Sequence, residues 1–265
     1  MIQDIWPKHL DNQYKNLKPG NGDTVFYFQG SSLLARPSGH FNSQNPEENV
    51  LIYPQYDEFV LGIKSSYGDK AVDNFEFIYL LSIDEEHFFL ARKTGSLERG
   101  TFLGEMADSA VHKDMYSFVR GYEFIGVDSF RKAQPREHAY AAITAFHLYG
   151  WYRDNHFCGR CGKPLRHDDM QRMLRCDCCK NMVFPKICPA VIVAVTDKDR
   201  ILLTKYAGRT YRNYALIAGF TEIGETTEET VSREVMEEVG VKVKNITYYK
   251  SQPWGLSGSQ LLGYF

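Results

Sequence analysis

Gly219-Phe-Thr-Glu-Ile-Gly-Glu225, followed after seven residues by Arg233-Glu-Val-Met-Glu237-Glu238-Val-Gly240-Val241, is the stretch that decides how this chain folds. Thr226 stands where a helix N-cap belongs, Glu229 three residues on completes a capping box, and Gly240 can close the helix. The signals predict a helix of about thirteen residues between them. Within it Glu234, Glu237 and Glu238 fall at i, i+3 and i+4 and share one stripe, while Val231, Val235 and Val239 form an adjacent apolar stripe that faces a core. Like charges at this spacing repel, so something positive must offset them. Hard oxygen ligands at this density suit Mg²⁺ or Mn²⁺ bridging to substrate phosphates, and Arg233 can reach Glu237 one turn on.

A glutamate stripe by itself marks only a solvated helix face. What separates this one is the full pattern of Gly219, Glu225, Arg233, Glu234, Glu237, Glu238 and Gly240, with apolar residues at Val235 and Val241. Seven fixed residue types at fixed spacing arise by chance on the order of a few times per billion start positions. The segment resembles the Nudix hydrolase signature at every position. The resemblance implies a mixed sheet sandwiched between helices, and metal-dependent hydrolysis of a nucleoside diphosphate linked to another moiety. It places the catalytic metal on Glu234, Glu237 and Glu238, makes Glu238 the first choice for the essential residue, and gives Glu225 a supporting role in loop geometry.

Upstream, Cys158-Gly-Arg-Cys161 and Cys176-Asp-Cys-Cys179 stand fourteen residues apart. Two C-x-x-C knuckles offer four thiolates to one tetrahedral Zn²⁺, and four closed ligands leave no position for substrate, so this zinc reads as a structural staple. Gly159 and Gly162 suit the tight turns around the sulfurs. Cys178 and Cys188 read as bystanders, and His156 and His167 as non-ligands. All six cysteines lie between Cys158 and Cys188, too clustered to staple the chain with disulfides.

A four-cysteine ribbon before the signature, a strand-rich domain before that, and Ser251-Gln252-Pro253-Trp254 after it are together similar to the bacterial NADH pyrophosphatase (NAD diphosphatase) subfamily. That resemblance implies hydrolysis of NAD(H) to NMN(H) and AMP, removal of NAD caps from RNA, and a homodimer. By matching positions it places Phe184 against the nucleotide, Ala218 beside substrate, and a substrate loop over Gln252, Pro253, Trp254, Gly255, Leu256, Ser257, Gly258 and Ser259. Where the subfamily continues with a proline-rich aromatic turn, this chain has Gly255-Leu-Ser-Gly-Ser259, which loses rigid prolines. The sequence ends at Phe265 inside an apparent strand, Gln260 to Phe265. A C-terminally incomplete Nudix domain with an unpaired last strand is therefore expected, lacking a further metal-binding glutamate.

The expected organisation is α+β. A strand-rich N-terminal domain occupies 1–135, with strands over Thr24–Gln29, Asn49–Tyr53, Phe75–Leu81 and His87–Ala91; a connecting helix covers 136–153, a zinc ribbon 154–186, and an α/β/α Nudix sandwich 187–265. In the last, Ala190–Val195 and Arg200–Thr204 read as buried strands. With 265 residues, 43% hydrophobic content and a formal charge of −2, the composition is globular and carries no overall basic field for nucleic acid. The start of the sequence lacks a signal-peptide pattern and no apolar run is long enough to cross a bilayer, so no membrane partner and a cytoplasmic protein are expected. Two other readings stay open. One is a Nudix hydrolase of another dinucleotide such as ADP-ribose. The other is an RNA-binding zinc ribbon using Arg160, Lys163, Arg166, Arg172, Arg175 and Lys180.

Overall fold

The computed structural model describes residues 1–39, 49–94, 118–208 and 213–265. The chain is mixed α+β and divides into two compact units, residues 2–185 and residues 186–265. No helix among the described residues is long and apolar enough to cross a membrane.

The first unit contains β1 (Leu10–Asp11), β2 (Thr24–Gln29), β3 (Ser32–Pro37), β4 (Leu51–Ile52), α1 (Tyr56–Tyr67), β5 (Phe75–Ile83), β6 (Glu86–Lys93), β7 (Glu123–Gly126) and α2 (Arg136–Asp154). Among the described residues its strands form one sheet in the order β1-β5-β6-β2-β3-β4, with β7 also paired to β3. Strand β2 is apolar at every position from Val25 to Phe28 because both faces of the sheet are covered. Val25 and Tyr27 pack with Phe59 and Ile63 of α1, whereas Phe28 stacks on Tyr149 of α2. Helix α1 replaces the strand-and-turn pattern expected between Val25 and Arg92. Its start is set by the Gln55 N–H, which donates to Glu58 Oε2 at 3.1 Å, and its buried face by Phe59 and Ile63 one turn apart.

The cysteine module in the same unit is a small antiparallel sheet of β8 (Leu165–His167), β9 (Leu174–Cys176) and β10 (Met182–Val183), in the order β10-β9-β8.

The second unit contains β11 (Cys188–Val193), β12 (Thr196–Asp197), β13 (Arg200–Ile201), β14 (Ile217–Phe220), α3 (Thr227–Val239), β15 (Tyr248–Trp254) and β16 (Ser259–Tyr264). Its four-stranded sheet runs β14-β11-β16-β15, with β11 parallel to β16 and the other neighbours antiparallel. The last strand, expected to be unpaired, is an inner one bonded on both sides. The second expected strand, Arg200–Thr204, is not buried: among the described residues β13 pairs with β12, outside the main sheet, and Ile201 and Leu203 are exposed.

Helix α3 is held by its valine stripe. Val231 and Val235 are 1% and 0% exposed and join Val191, Val193, Ile217 and Tyr264 in one core. At the N-terminal end of the helix the Thr227 hydroxyl and the Tyr264 phenol share a 2.5 Å hydrogen bond. Val235→Ala should therefore cost about 2 kcal/mol through lost burial and the cavity left behind. Met236→Ala, on the outer face of the same helix, should change stability by less than about 0.5 kcal/mol. Urea unfolding of the two variants checks the pair.

Candidate active site

The segment from Gly219 to Val241 folds as its punctuation predicts. The Thr226 hydroxyl accepts the Glu229 N–H at 3.2 Å and Glu229 Oε2 accepts the Thr226 N–H at 2.8 Å, so two orphan donors at the helix start are satisfied reciprocally. At the other end Gly240 takes φ 68°, and its N–H bonds the Met236 carbonyl. Ahead of the helix, Gly224 at φ 97° turns the loop and the Thr221 N–H ties it to the Pro189 carbonyl at 3.1 Å.

The requirement for glycine at 219 is steric. A Cβ placed there would lie 1.8 Å from Glu234 Cδ, because the Glu234 carboxyl group rests directly on this stretch of β14. That close approach brings a helix carboxylate against the strand, and any larger residue at 219 would displace the Glu234 carboxyl group from this position.

Arg233 organises the rest. Its Nε and Nη2 donate to the two oxygens of Glu225 at 2.6 and 2.9 Å, a bidentate pair. Its Nη1 donates to Glu234 Oε1 at 2.8 Å and Glu237 Oε2 at 3.1 Å, and Nη2 also reaches the Phe220 carbonyl at 2.9 Å. The sequence pointed to Glu237 as the partner of Arg233. The structure adds Glu225 and Glu234, so this one cation offsets much of the repulsion within the acidic stripe. Thr230, fully buried, was not read from the sequence; its hydroxyl donates to Glu225 Oε2 and to the Thr226 carbonyl, both at 3.0 Å. A threonine five residues after the glutamate is the only sequence signal for it.

The electrostatics follow from these contacts. The Arg233 guanidinium, then the Glu222 N–H and the Thr230 hydroxyl, hold the Glu225 carboxyl down to about 2. The same ion pairs, with Glu225 the largest contributor, raise the Arg233 pKa above its ordinary value. Glu238 behaves oppositely: partial burial, with the Glu234 charge added, pushes its pKa up. Two carboxylates one turn apart on the same helix thus sit in different environments, Glu234 against Arg233 and the strand, Glu238 without that cation. Among the described residues the glutamate oxygens are not gathered into a preformed ligand cage. Their donor chemistry and shared helix face nevertheless suit a divalent cation.

The remaining expected substrate positions divide between the units. In the second, Ala218 is an exposed residue of β14, paired with Ile192. The expected substrate loop is the end of a hairpin: Gln252, Pro253 and Trp254 belong to β15 and pair with Leu261, Gln260 and Ser259 of β16, leaving Gly255, Leu256, Ser257 and Gly258 as the turn. Gly258 has φ 68°, and the Ser257 and buried Ser259 hydroxyls bond each other at 2.8 Å, so the turn is ordered by serines and glycine where prolines were missing. Phe184 belongs to the first unit and is 52% exposed.

The cysteine module closes as its spacing predicts. The Sγ atoms of Cys158, Cys161, Cys176 and Cys179 all lie within 4.8 Å of one another, with Cys158–Cys179 at 3.6 Å and Cys161–Cys176 at 3.4 Å. A Zn–S bond of about 2.3 Å sets tetrahedral sulfur separations of about 3.8 Å, so the four sulfurs fit such an ion closely. The two knuckles repeat one backbone design. Gly162 and Lys180, each four residues after the first cysteine of its knuckle, have φ 69° and 60°, and their N–H groups donate to the carbonyls of Cys158 and Cys176. Gly159 does not use glycine's conformational freedom; Lys180 does the work expected of a second glycine.

Residues 186–262 match the family model of the NUDIX domain. This stretch of the chain is similar to that domain, and the arginine–glutamate network lies within it. Over 107 residues the chain is 43% identical to the NAD-capped RNA hydrolase NudC of Salmonella typhi, covering 40% of this chain and 42% of that protein. The same figures hold for the protein of that name from Salmonella enteritidis PT4. The match therefore spans less than half the length of these curated relatives. A crystal structure of a NUDIX hydrolase from Nitrosomonas europaea aligns over 41% of this chain and 64% of that one, at 23% identity and a TM-score of 0.33, too low a likeness to bear on the fold.

The depressed Glu225 pKa has a consequence for the stability of the second unit. Its folded value, about 2, lies below the ordinary 4.5. The Glu225–Arg233 contribution to stability is complete above about pH 4.5 and is lost as pH falls toward about 2. Thermal melting in that window should show a steeper acid loss in the parent chain than in Glu225→Gln.

Proposed function

We propose that this protein is a metal-dependent hydrolase of the diphosphate in NAD(H), yielding NMN(H) and AMP, and that it also removes NAD caps from RNA. The observation that carries the reading is the intact acidic helix: Glu234, Glu237 and Glu238 on one stripe, organised by Arg233, in a chain 43% identical over its matched region to proteins named NAD-capped RNA hydrolases. In the reaction a water attacks one phosphorus, the bridging P–O bond breaks, and the leaving phosphate takes up the charge. Mg²⁺ or Mn²⁺ bound by the three glutamates would supply positive charge to the diphosphate. Glu238, whose pKa is raised, is the residue assigned to accept the proton from the attacking water. Glu225 and Arg233 hold the loop against the helix and keep Glu234 in register. The hairpin from Gln252 to Ser259, with Ala218, is assigned to nucleotide binding.

The Cys158, Cys161, Cys176 and Cys179 cluster is assigned a structural Zn²⁺. We read residues 1–135 as an N-terminal domain, 136–153 as its connecting helix, 154–186 as the ribbon and 187–265 as the hydrolase domain, in a cytoplasmic homodimer. Gel filtration with light scattering tests the last point.

With Mn²⁺ or Mg²⁺ the protein should convert NADH to NMNH and AMP, and Glu238→Gln should lower kcat by at least about 10²-fold while melting like the parent. Faster turnover of ADP-ribose than of NADH would favour the other dinucleotide reading, which the Gly255–Ser259 turn keeps open. Metal analysis should find one zinc per chain, and Cys161→Ser should lose both the zinc and thermal stability; a stable, metal-free parent protein would remove the zinc assignment.

A further inference from the structure

Where the cysteine module meets the N-terminal sheet, inside the first unit, several buried polar atoms have no hydrogen-bond partner among the described residues. They are the Tyr152 hydroxyl, both ring nitrogens of His167 and Nη1 of Arg172. Tyr152 is 1% exposed, and its ring lies 4.8 Å from that of His167, centroid to centroid. The Arg92 guanidinium covers the Tyr152 ring at 5.5 Å and pairs with Glu76 at 3.4 Å. Arg172 enters from the loop between β8 and β9. Its Nη2 donates to the Leu80 carbonyl and to the Asn12 carbonyl, and its guanidinium lies 5.6 Å over the Tyr14 ring.

Leu80 is no ordinary strand residue. The β5–β6 register passes from Tyr79↔Phe89 to Leu81↔Phe88, so Leu80 sits in a bulge and its carbonyl is turned out of the ladder toward Arg172. Arg172 is therefore anchored through Nη2, while its buried Nη1 has no hydrogen-bond partner among the described residues. Leaving a donor, a hydroxyl and two imidazole nitrogens unmade in one solvent-excluded place would cost several hydrogen bonds' worth of desolvation.

We propose that this place is a binding site for ordered water, with at least one molecule bridging Arg172 Nη1, the Tyr152 hydroxyl and His167. Water fits where an inorganic anion does not, because neutral imidazole needs one acceptor and one donor, and an anion supplies only the first. Burial, with the Arg92 and Arg172 charges added and Glu76 opposing, favours that neutral ring. The guanidinium charge is meanwhile spread over two carbonyl oxygens and an aromatic face, so it does not require a counter-ion. Bridging water of this kind joins the cysteine module to helix α2 as a direct bond would.

The test is a crystal structure of the zinc-loaded protein that shows ordered water, with a second crystal grown or soaked in sodium bromide. Density at hydrogen-bond distance from Tyr152, Arg172 and one His167 nitrogen, without bromide's anomalous signal, is expected. An empty site, or bromide in it, overturns the proposal. Melting of Tyr152→Phe, His167→Leu and the double variant gives an independent reading. Partners of one bridge are coupled, so the double variant should melt no more than slightly below the weaker single variant; fully additive losses overturn a shared water.

Discussion

One guanidinium binds together the loop and the helix of the segment from Gly219 to Val241. Arg233 takes a bidentate carboxylate from the loop at Glu225, a backbone carbonyl from the strand at Phe220, and two carboxylates from its own helix at Glu234 and Glu237. Each partner comes from a segment with its own anchor. The strand is fixed by β11, the helix by its valines, and the loop by Gly224 and the Thr221–Pro189 bond. A lysine could reach one of these acceptors but could not present a planar fork to several at once. Without that fork Glu234 and Glu237 would lose the charge that draws them together, and with it one support for the Glu234 carboxyl group against Gly219.

The same arrangement sorts carboxylates by task. Glu225 is held ionised and immobile, so it is a poor proton acceptor and a good strut. Glu238, one turn along the helix from Glu234, is partly buried, and that burial with the Glu234 charge added raises its proton affinity. The distinction does not lie in residue type; it comes from the guanidinium beside one carboxylate and the burial of the other.

How much of this was legible depended on whether the signal was local. Thr226, Glu229 and Gly240 delimit α3 because capping chemistry is set by a few neighbouring residues, and the cysteine knuckles were read correctly because ligand spacing is local too. Helix α1 was missed although Gln55, Glu58, Phe59 and Ile63 carry its signals; strand-rich neighbours on both sides masked a single three-turn helix. Lys180 could not be recognised as the second left-handed residue, since nothing in a lysine announces φ 60°. The place of β16 was invisible for a different reason: a strand's neighbours are chosen by tertiary pairing, and a sequence read from one end to the other suggests an edge where the fold makes a centre.

That central place has a kinetic meaning. Strand β16 joins β11, the first strand of its unit, across about seventy residues, and Tyr264 reaches back to Thr227 at the start of α3. Contacts this distant along the chain close slowly, because the entropy of a long loop must be overcome before any of them forms. Helix α3 can wind early from its own caps, yet its valine face has no complete core to enter until β16 slots between β11 and β15. Completion of the core beneath α3 therefore depends on a strand pairing made across about seventy residues of chain.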